Sequence, residues 1–305
     1  MARAPKRTKA AKTAKKAVKK VAKKVKKAAA APKKAVKKAV AALGNGFKER
    51  TVRADGFSIR VAEAGKGDVV IAIHGGGGMR ISGAHELLAK KYRVVAFEIP
   101  GFGKSPANDK SDSLQSLART MNAAIEALGI KKYSLMGNSF GAKLAAWMAV
   151  EAPEKVTTLV MLAPATIRLE RDMPVARTPE ERMALFHAHP ETQPKPPKVD
   201  PKIDEKQTAL IRRLIGPARD AALEARLKEL NVPSLAVFGT QDRITPPEAA
   251  RLYREVFPDC YLVMVYDAAH AVDADRPEAV AEVVSDFIGR QDKFLVTGES
   301  GVIHP

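Results

Sequence analysis

The chain has 305 residues and carries 52 Lys or Arg against 34 Asp or Glu, a formal net charge of +18 at pH 7. Its length allows one large domain or one domain with appendages, and a hydrophobic share of 46% is ordinary for a chain that buries a substantial core. Cys260 is the single cysteine, which excludes an intrachain disulfide and a cysteine-based metal site, and no run approaches the ~18–20 uninterrupted apolar residues of a transmembrane segment.

Residues 1–43 form a low-complexity Lys/Ala/Val/Pro segment with the near-repeats KKAVKKVAKK and PKKAVKKAVAAL. Residues 1–42 hold 17 Lys or Arg and no acid, so the remaining 35 basic and 34 acidic residues nearly cancel. Such a segment cannot bury enough apolar surface to offset chain entropy, and disorder is expected over 1–43. Val18, Val21 and Val25 fall at i, i+3 and i+7. They hold a latent helix, divided by Pro32, that a polyanion would release by neutralising the surrounding lysines. The segment lacks the apolar core of a secretory signal, which leaves the cytoplasm as the expected compartment.

The pattern changes near Phe47 and predicts a domain over 44–305. KERTVRADGFSIRVAEAG reads as a hairpin turning at Asp55-Gly56. Buried-strand runs follow at Val69–Ile73, Arg93–Phe97, Tyr133–Met136, Thr158–Leu162, Ser234–Phe238 and Tyr261–Tyr266, with helical periods between most of them. One helix aligns Leu114, Leu117, Met121, Ile125 and Leu128 behind a cap at Ser111 or Ser113; the last aligns Val280, Val283, Val284, Phe287 and Ile288 after Pro277. About 70 residues separate the strand ending near Ala163 from the one starting near Ser234. That is too long for a plain crossover and predicts a helical cap over about 166–231. The fold class is α/β: a mostly parallel eight-stranded sheet flanked by helices and entered through an antiparallel hairpin.

Gly137-Asn138-Ser139-Phe140-Gly141 stands directly between the strand YSLM and the apolar stretch AKLAAWMAV. A serine on so sharp a strand-to-helix turn projects its Oγ above the sheet beside a helix N-terminus, where developing negative charge is favoured. His74-Gly75-Gly76-Gly77-Gly78 follows the strand VVIAI and lets backbone N–H groups approach a substrate oxygen closely. A phosphate loop is the weaker alternative there, since the lysine of GxxxxGK[ST] is missing. Asp242, in GTQDRITPP, and His270, in VYDAAHAVDADRP, each follow a strand. The C-terminal strand ends of an open α/β sheet share one face, where ligands bind.

With Ser, Asp and His in that order at matching strand ends, the chain resembles the α/β-hydrolase fold enzymes from roughly Glu49 to Arg290. The resemblance implies Ser139 as nucleophile, Asp242 as acid and His270 as base. It implies an oxyanion hole at the N–H groups of Gly76 and Phe140, with His74, Gly75 and Gly77 lining the substrate site. Glu98-Ile-Pro-Gly-Phe-Gly-Lys-Ser105 is similar to the family's D-x-P-G-x-G-x-S loop, with Glu98 where Asp is more usual. The implied activity is two-step acyl transfer on a small ester-like carbonyl substrate, with no metal and no organic cofactor.

Serine at the elbow argues against the dehalogenases and epoxide hydrolases of this fold, which use aspartate there. The alternative within the family is a C–C bond hydrolase, because Gly-Asn-Ser-Phe-Gly resembles the G-N-S-M-G elbow of that group. Such enzymes take acidic substrates, which a basic cap residue among Arg168, Arg171, Arg212 and Arg213 would meet. A different class of reading, a non-catalytic module tethered by a polyanion-binding tail, is disfavoured by the intact triad. His187 and His189 are expected to be solvated cap residues rather than metal ligands, Trp147 a core residue, and Cys260 a small residue leading into a strand. Residues 1–43 resemble lysine-rich linker-histone tails, which implies nonspecific contact with nucleic acid or another polyanion and association with a nucleoid or granule. The segment has no aromatic residue to stack on bases.

Overall fold

A computed structural model describes residues 40–43, 46–171, 174–194 and 200–294, all within one unit, Ala39–Pro305. The disorder and the latent valine helix expected over 1–43 lie outside these residues, apart from a short strand β1 (Val40–Leu43). Strand β1 pairs antiparallel with β2 (Phe47–Ala54) and adds a ninth, edge strand to the eight that the sequence predicts. Asp55 and Gly56 take positive φ, 47° and 77°, and turn β2 into β3 (Phe57–Ala64) where the Asp-Gly dipeptide predicts the hairpin.

The remaining strands are β4 (Val69–Ile73), β5 (Arg93–Phe97), β6 (Tyr133–Asn138), β7 (Val156–Leu162), β8 (Ser234–Gly239) and β9 (Cys260–Val265). Their order is β1-β2-β3-β5-β4-β6-β7-β8-β9, antiparallel through the β3–β5 pairing and parallel from there on. Alternation along each strand feeds two separate cores. Ile71, Ile73, Val95 and Phe97 face one layer, whereas Val70, Ala72, Val94 and Ala96 face the other.

The first layer receives α2 (Leu114–Ala127), α3 (Phe140–Glu151), α6 (Ala221–Leu227) and α7 (Ala250–Val256). The second receives α1 (Gly83–Leu88), the short α8 (Val272–Asp275) and α9 (Pro277–Arg290). Ser113, not Ser111, caps α2, accepting from Ser116 N–H. Helix α3 buries every residue from Phe140 to Val150, Trp147 among them, so it shows no amphipathic stripe. The insertion contributes α4 (Pro179–Phe186) and α5 (Pro201–Leu214) before α6 returns the chain to β8. Cys260 is buried as the first residue of β9. No helix among the described residues is long and apolar enough to cross a membrane.

Candidate active site

Ser139 sits between β6 and α3 with φ 50° and ψ −116°, a left-handed conformation that costs a non-glycine residue ~1–3 kcal/mol. Neighbouring backbone holds it there. Its N–H donates to Leu162 O at 2.9 Å, and its carbonyl accepts from Ala142 N–H at 2.9 Å and Ala165 N–H at 3.2 Å. The turn is tight enough to require glycine at 141, where a Cβ would stand 2.3 Å from His74 O. This close approach sets the end of β4, and the glycine run after it, against the serine turn.

Two further strand ends deliver the partners. His270 Nε2 lies 2.9 Å from Ser139 Oγ, and His270 Nδ1 lies 2.9 Å from Asp242 Oδ2. Asp242 and His270 are each only 3% exposed. Asp242 Oδ1 accepts from the N–H groups of Ile244 and Thr245 at 2.8 and 2.9 Å, while Oδ2 accepts from the Thr245 hydroxyl at 2.7 Å. Burial pushes the Asp242 carboxyl up, but the hydrogen bond and charge of His270, with the Thr245 donors, outweigh it and hold the group below its usual range. A Cβ at Gly239 would lie 2.4 Å from Ala269 O, so this glycine lets the Asp242 and His270 loops meet.

The glycine run lies beside this triad, and its members differ in role. His74 Nδ1 is 2.7 Å from Gly75 O, and Nε2 accepts from Ile99 N–H at 3.0 Å. Both ring nitrogens are thus spent on backbone, tying the β4 and β5 loops together. Burial lowers the His74 pKa to about 4, consistent with a neutral ring that accepts at Nε2. Gly75 packs on the Asn138 and Ser139 side of the turn, Gly76 faces Ile211 of α5, and Gly77 has open space beside it. Phe140 opens α3, where the first helical N–H groups lack intrahelical acceptors.

Glu98 fills the variant position of the EIPGFGKS loop and is buried. Its Oε2 accepts from Arg60 Nη2 at 2.6 Å and Nε at 3.1 Å, and its Oε1 accepts from the Ser105 hydroxyl at 3.0 Å. The extra methylene extends the carboxylate to a cation on the hairpin while still closing the loop through Ser105.

Several residues around the site carry no motif. Lys143, one turn after Ser139, is fully buried within the stretch that reads as apolar. Its Nζ donates to Ile215 O at 2.8 Å and Pro217 O at 3.2 Å and lies 3.3 Å from Asp220 Oδ2. Burial pushes the ammonium below its usual range, against the opposing pull of Asp220. Phe186, at the end of α4, sets its ring edge-on against His270 with centroids 5.2 Å apart. His187 is not the solvated side chain expected: its Nδ1 is 2.7 Å from Asp275 Oδ1, and the bond is largely shielded. His189 is half-exposed but also paired, its Nε2 2.8 Å from Asp267 Oδ1. No cluster of metal-ligating side chains occurs among the described residues.

The strand order is that of the α/β-hydrolase fold, with Ser139, Asp242 and His270 brought together at the C-terminal edge of the sheet. The profile of that fold family matches residues 68–207. Among curated relatives, the chain is 27% identical over 267 residues to 2-hydroxy-6-oxo-6-(2'-aminophenyl)hexa-2,4-dienoic acid hydrolase of Metapseudomonas resinovorans, covering 80% of this chain and 92% of that one. It is 26% identical over 261 residues to pimeloyl-[acyl-carrier protein] methyl ester esterase of Aeromonas salmonicida (strain A449), covering 76% of this chain and all of the other. A meta-cleavage product hydrolase structure from Pseudomonas fluorescens IP01 superposes with a TM-score of 0.69 at 20% identity, covering 78% of this chain and 97% of that one.

Proposed function

We propose that this chain is a serine hydrolase of small carboxylic esters that works by two-step acyl transfer. The observation that carries the reading is the continuous hydrogen-bonded series Asp242–His270–Ser139, with both links at 2.9 Å. Asp242 accepts from His270 Nδ1, which leaves Nε2 as the acceptor for the Ser139 hydroxyl proton as Oγ attacks the carbonyl carbon. The Gly76 and Phe140 N–H groups receive the developing oxyanion. The imidazolium then protonates the leaving alcohol, and a water activated by the same ring cleaves the acyl-enzyme and restores the serine. The steps use the chain's own groups.

The relatives' names support two chemistries, an esterase and a dienoic acid hydrolase. The second, a C–C bond cleavage, is the alternative, and the Gly-Asn-Ser-Phe-Gly elbow speaks for it. An acidic substrate of that kind needs a cationic side chain free to meet it. Three of the four candidate arginines are engaged with backbone: Arg168 with Gly216 O, Arg171 with Arg243 O, and Arg213 with Ser111 O and Asn108 O. Arg212 is exposed. Serine-reactive fluorophosphonate labelling, with nitrophenyl esters and a 2-hydroxy-6-oxo-dienoate assayed side by side, tests the reading. Undiminished labelling in Ser139→Ala would overturn the nucleophile, and turnover of the dienoate alone would select the C–C chemistry.

We further propose a cytoplasmic enzyme whose residues 1–43 hold it on nucleic acid or another polyanion through their 17 cations.

A further inference from the structure

Helix α5 is a fixed beam over the glycine run. Midway along it Lys206 Nζ donates to Gly103 O at 3.0 Å and to Ser105 O, and Gln207 Oε1 accepts from Gly103 N–H at 2.9 Å. Near its end Arg213 donates to Ser111 O at 2.7 Å and to Asn108 O, while the buried Lys143 ammonium holds Ile215 O. Leu210 and Leu214 are buried in the core beneath it. Between these anchors Ile211 remains only partly buried, and its Cδ1 lies 3.0 Å from where a Cβ on Gly76 would stand. Its methyl therefore rests on the residue whose N–H is read as an oxyanion donor.

The directions of the reacting groups follow from the triad. The leaving oxygen must face His270 Nε2, which protonates it, and Phe186 lines that side by its contact with the ring. The carbonyl oxygen points to Gly76 and Phe140. We propose that the one remaining substituent, the acyl chain, runs along the wall where Gly76 meets Ile211, that Ile211 sets its length, and that the substrates are esters of short, uncharged acyl groups. A branched side chain on an anchored helix occupies the space that further methylenes would need, and the anchors prevent it from backing away. This inference rests on the ester-hydrolase reading of the same site.

The test compares the full chain with Ile211→Ala and Ile211→Phe on nitrophenyl acetate, butyrate, hexanoate and octanoate, reading ratios of kcat/KM. Wild type is expected to fall off beyond the shortest chains. Ile211→Ala should raise the hexanoate-to-acetate ratio by about tenfold or more, the scale on which pockets discriminate methylenes, and Ile211→Phe should lower the butyrate-to-acetate ratio. The opposed variants guard against a fold defect, because a damaged site would move both ratios the same way. Ratios unchanged in both variants, with hydrolysis still abolished by Ser139→Ala, overturn the role of Ile211 and leave the hydrolase reading intact. A wild-type chain that neither cleaves any of the esters nor labels at Ser139 removes the hydrolase reading, and this inference with it.

Discussion

The Asp242 carboxylate collects donors from Ile244, Thr245 and His270, more than orienting one imidazole requires. Asp242→Asn keeps this shape but turns an NH2 toward His270, which then carries its proton on Nε2 and cannot accept from Ser139. A loss of about 10⁴ in kcat, with the unfolding midpoint little changed, is the expected outcome on a nitrophenyl ester. His74 gives a second outcome at this scale. Its pKa is lowered to about 4, from 6.5 in the unfolded chain, by burial. Between those values the unfolded chain binds the extra proton, so stability falls as pH drops through that window and is fully retained above it. The loss amounts to at most ~3 kcal/mol by pH 4, and thermal melts of wild type should decline more steeply from pH 6.5 to 4 than those of His74→Gln. The meeting of Ser139, Asp242 and His270 was legible because each stands just past an apolar strand and parallel strands end on one edge. Thr245 and Phe186 were not, since a threonine three residues beyond an aspartate, or a phenylalanine ending a short helix, has the same sequence appearance anywhere.

Elements show the same division. The strands could be read from their apolar runs, with ends shifted by only a residue or two, because burial on both sheet faces leaves little choice of residue in the central ones. Cap helices are harder: α4 buries none of its own residues, so it carries no strong apolar period. Helix α3 misleads in the opposite sense, since its apolar surroundings hide a lysine whose acceptors, Ile215, Pro217 and Asp220, come from far along the chain. That lysine links the helix after Ser139 to the loop between α5 and α6. Lys143→Met preserves much of the packing but takes the donor from two carbonyls and the cation from Asp220. Breaking one side of a buried pair costs about 3–5 kcal/mol, which urea unfolding should register as a lower midpoint. Because the same ammonium holds the end of α5, the variant should also raise KM for esters more than it lowers kcat. A change in kcat alone would mean that the cap keeps its place without this link.

At the scale of the whole molecule, charge and catalysis are separated along the chain. All 17 cations of the basic segment lie at or before Lys38, whereas the first described strand begins at Val40. A chain shortened to residues 39–305 therefore loses all but one of the excess positive charges and keeps strand β1, which truncation at 44 would remove. A neutral nitrophenyl ester offers the cations of that segment no charge to meet, so its kcat/KM should be the same for both forms. Polyanion binding should differ sharply. Each phosphate neutralised steepens the dependence of log K on log salt by about 0.9, so roughly eight contacts among the 17 cations give a slope near −7. Gel shifts on random-sequence duplex DNA should then weaken on the order of 10³-fold or more between ~50 and ~200 mM salt for the full chain. The shortened chain, nearly neutral overall, should show no shift at either concentration. Equal binding by the two forms would move the polyanion contact onto the folded domain and leave the basic segment without a role in it.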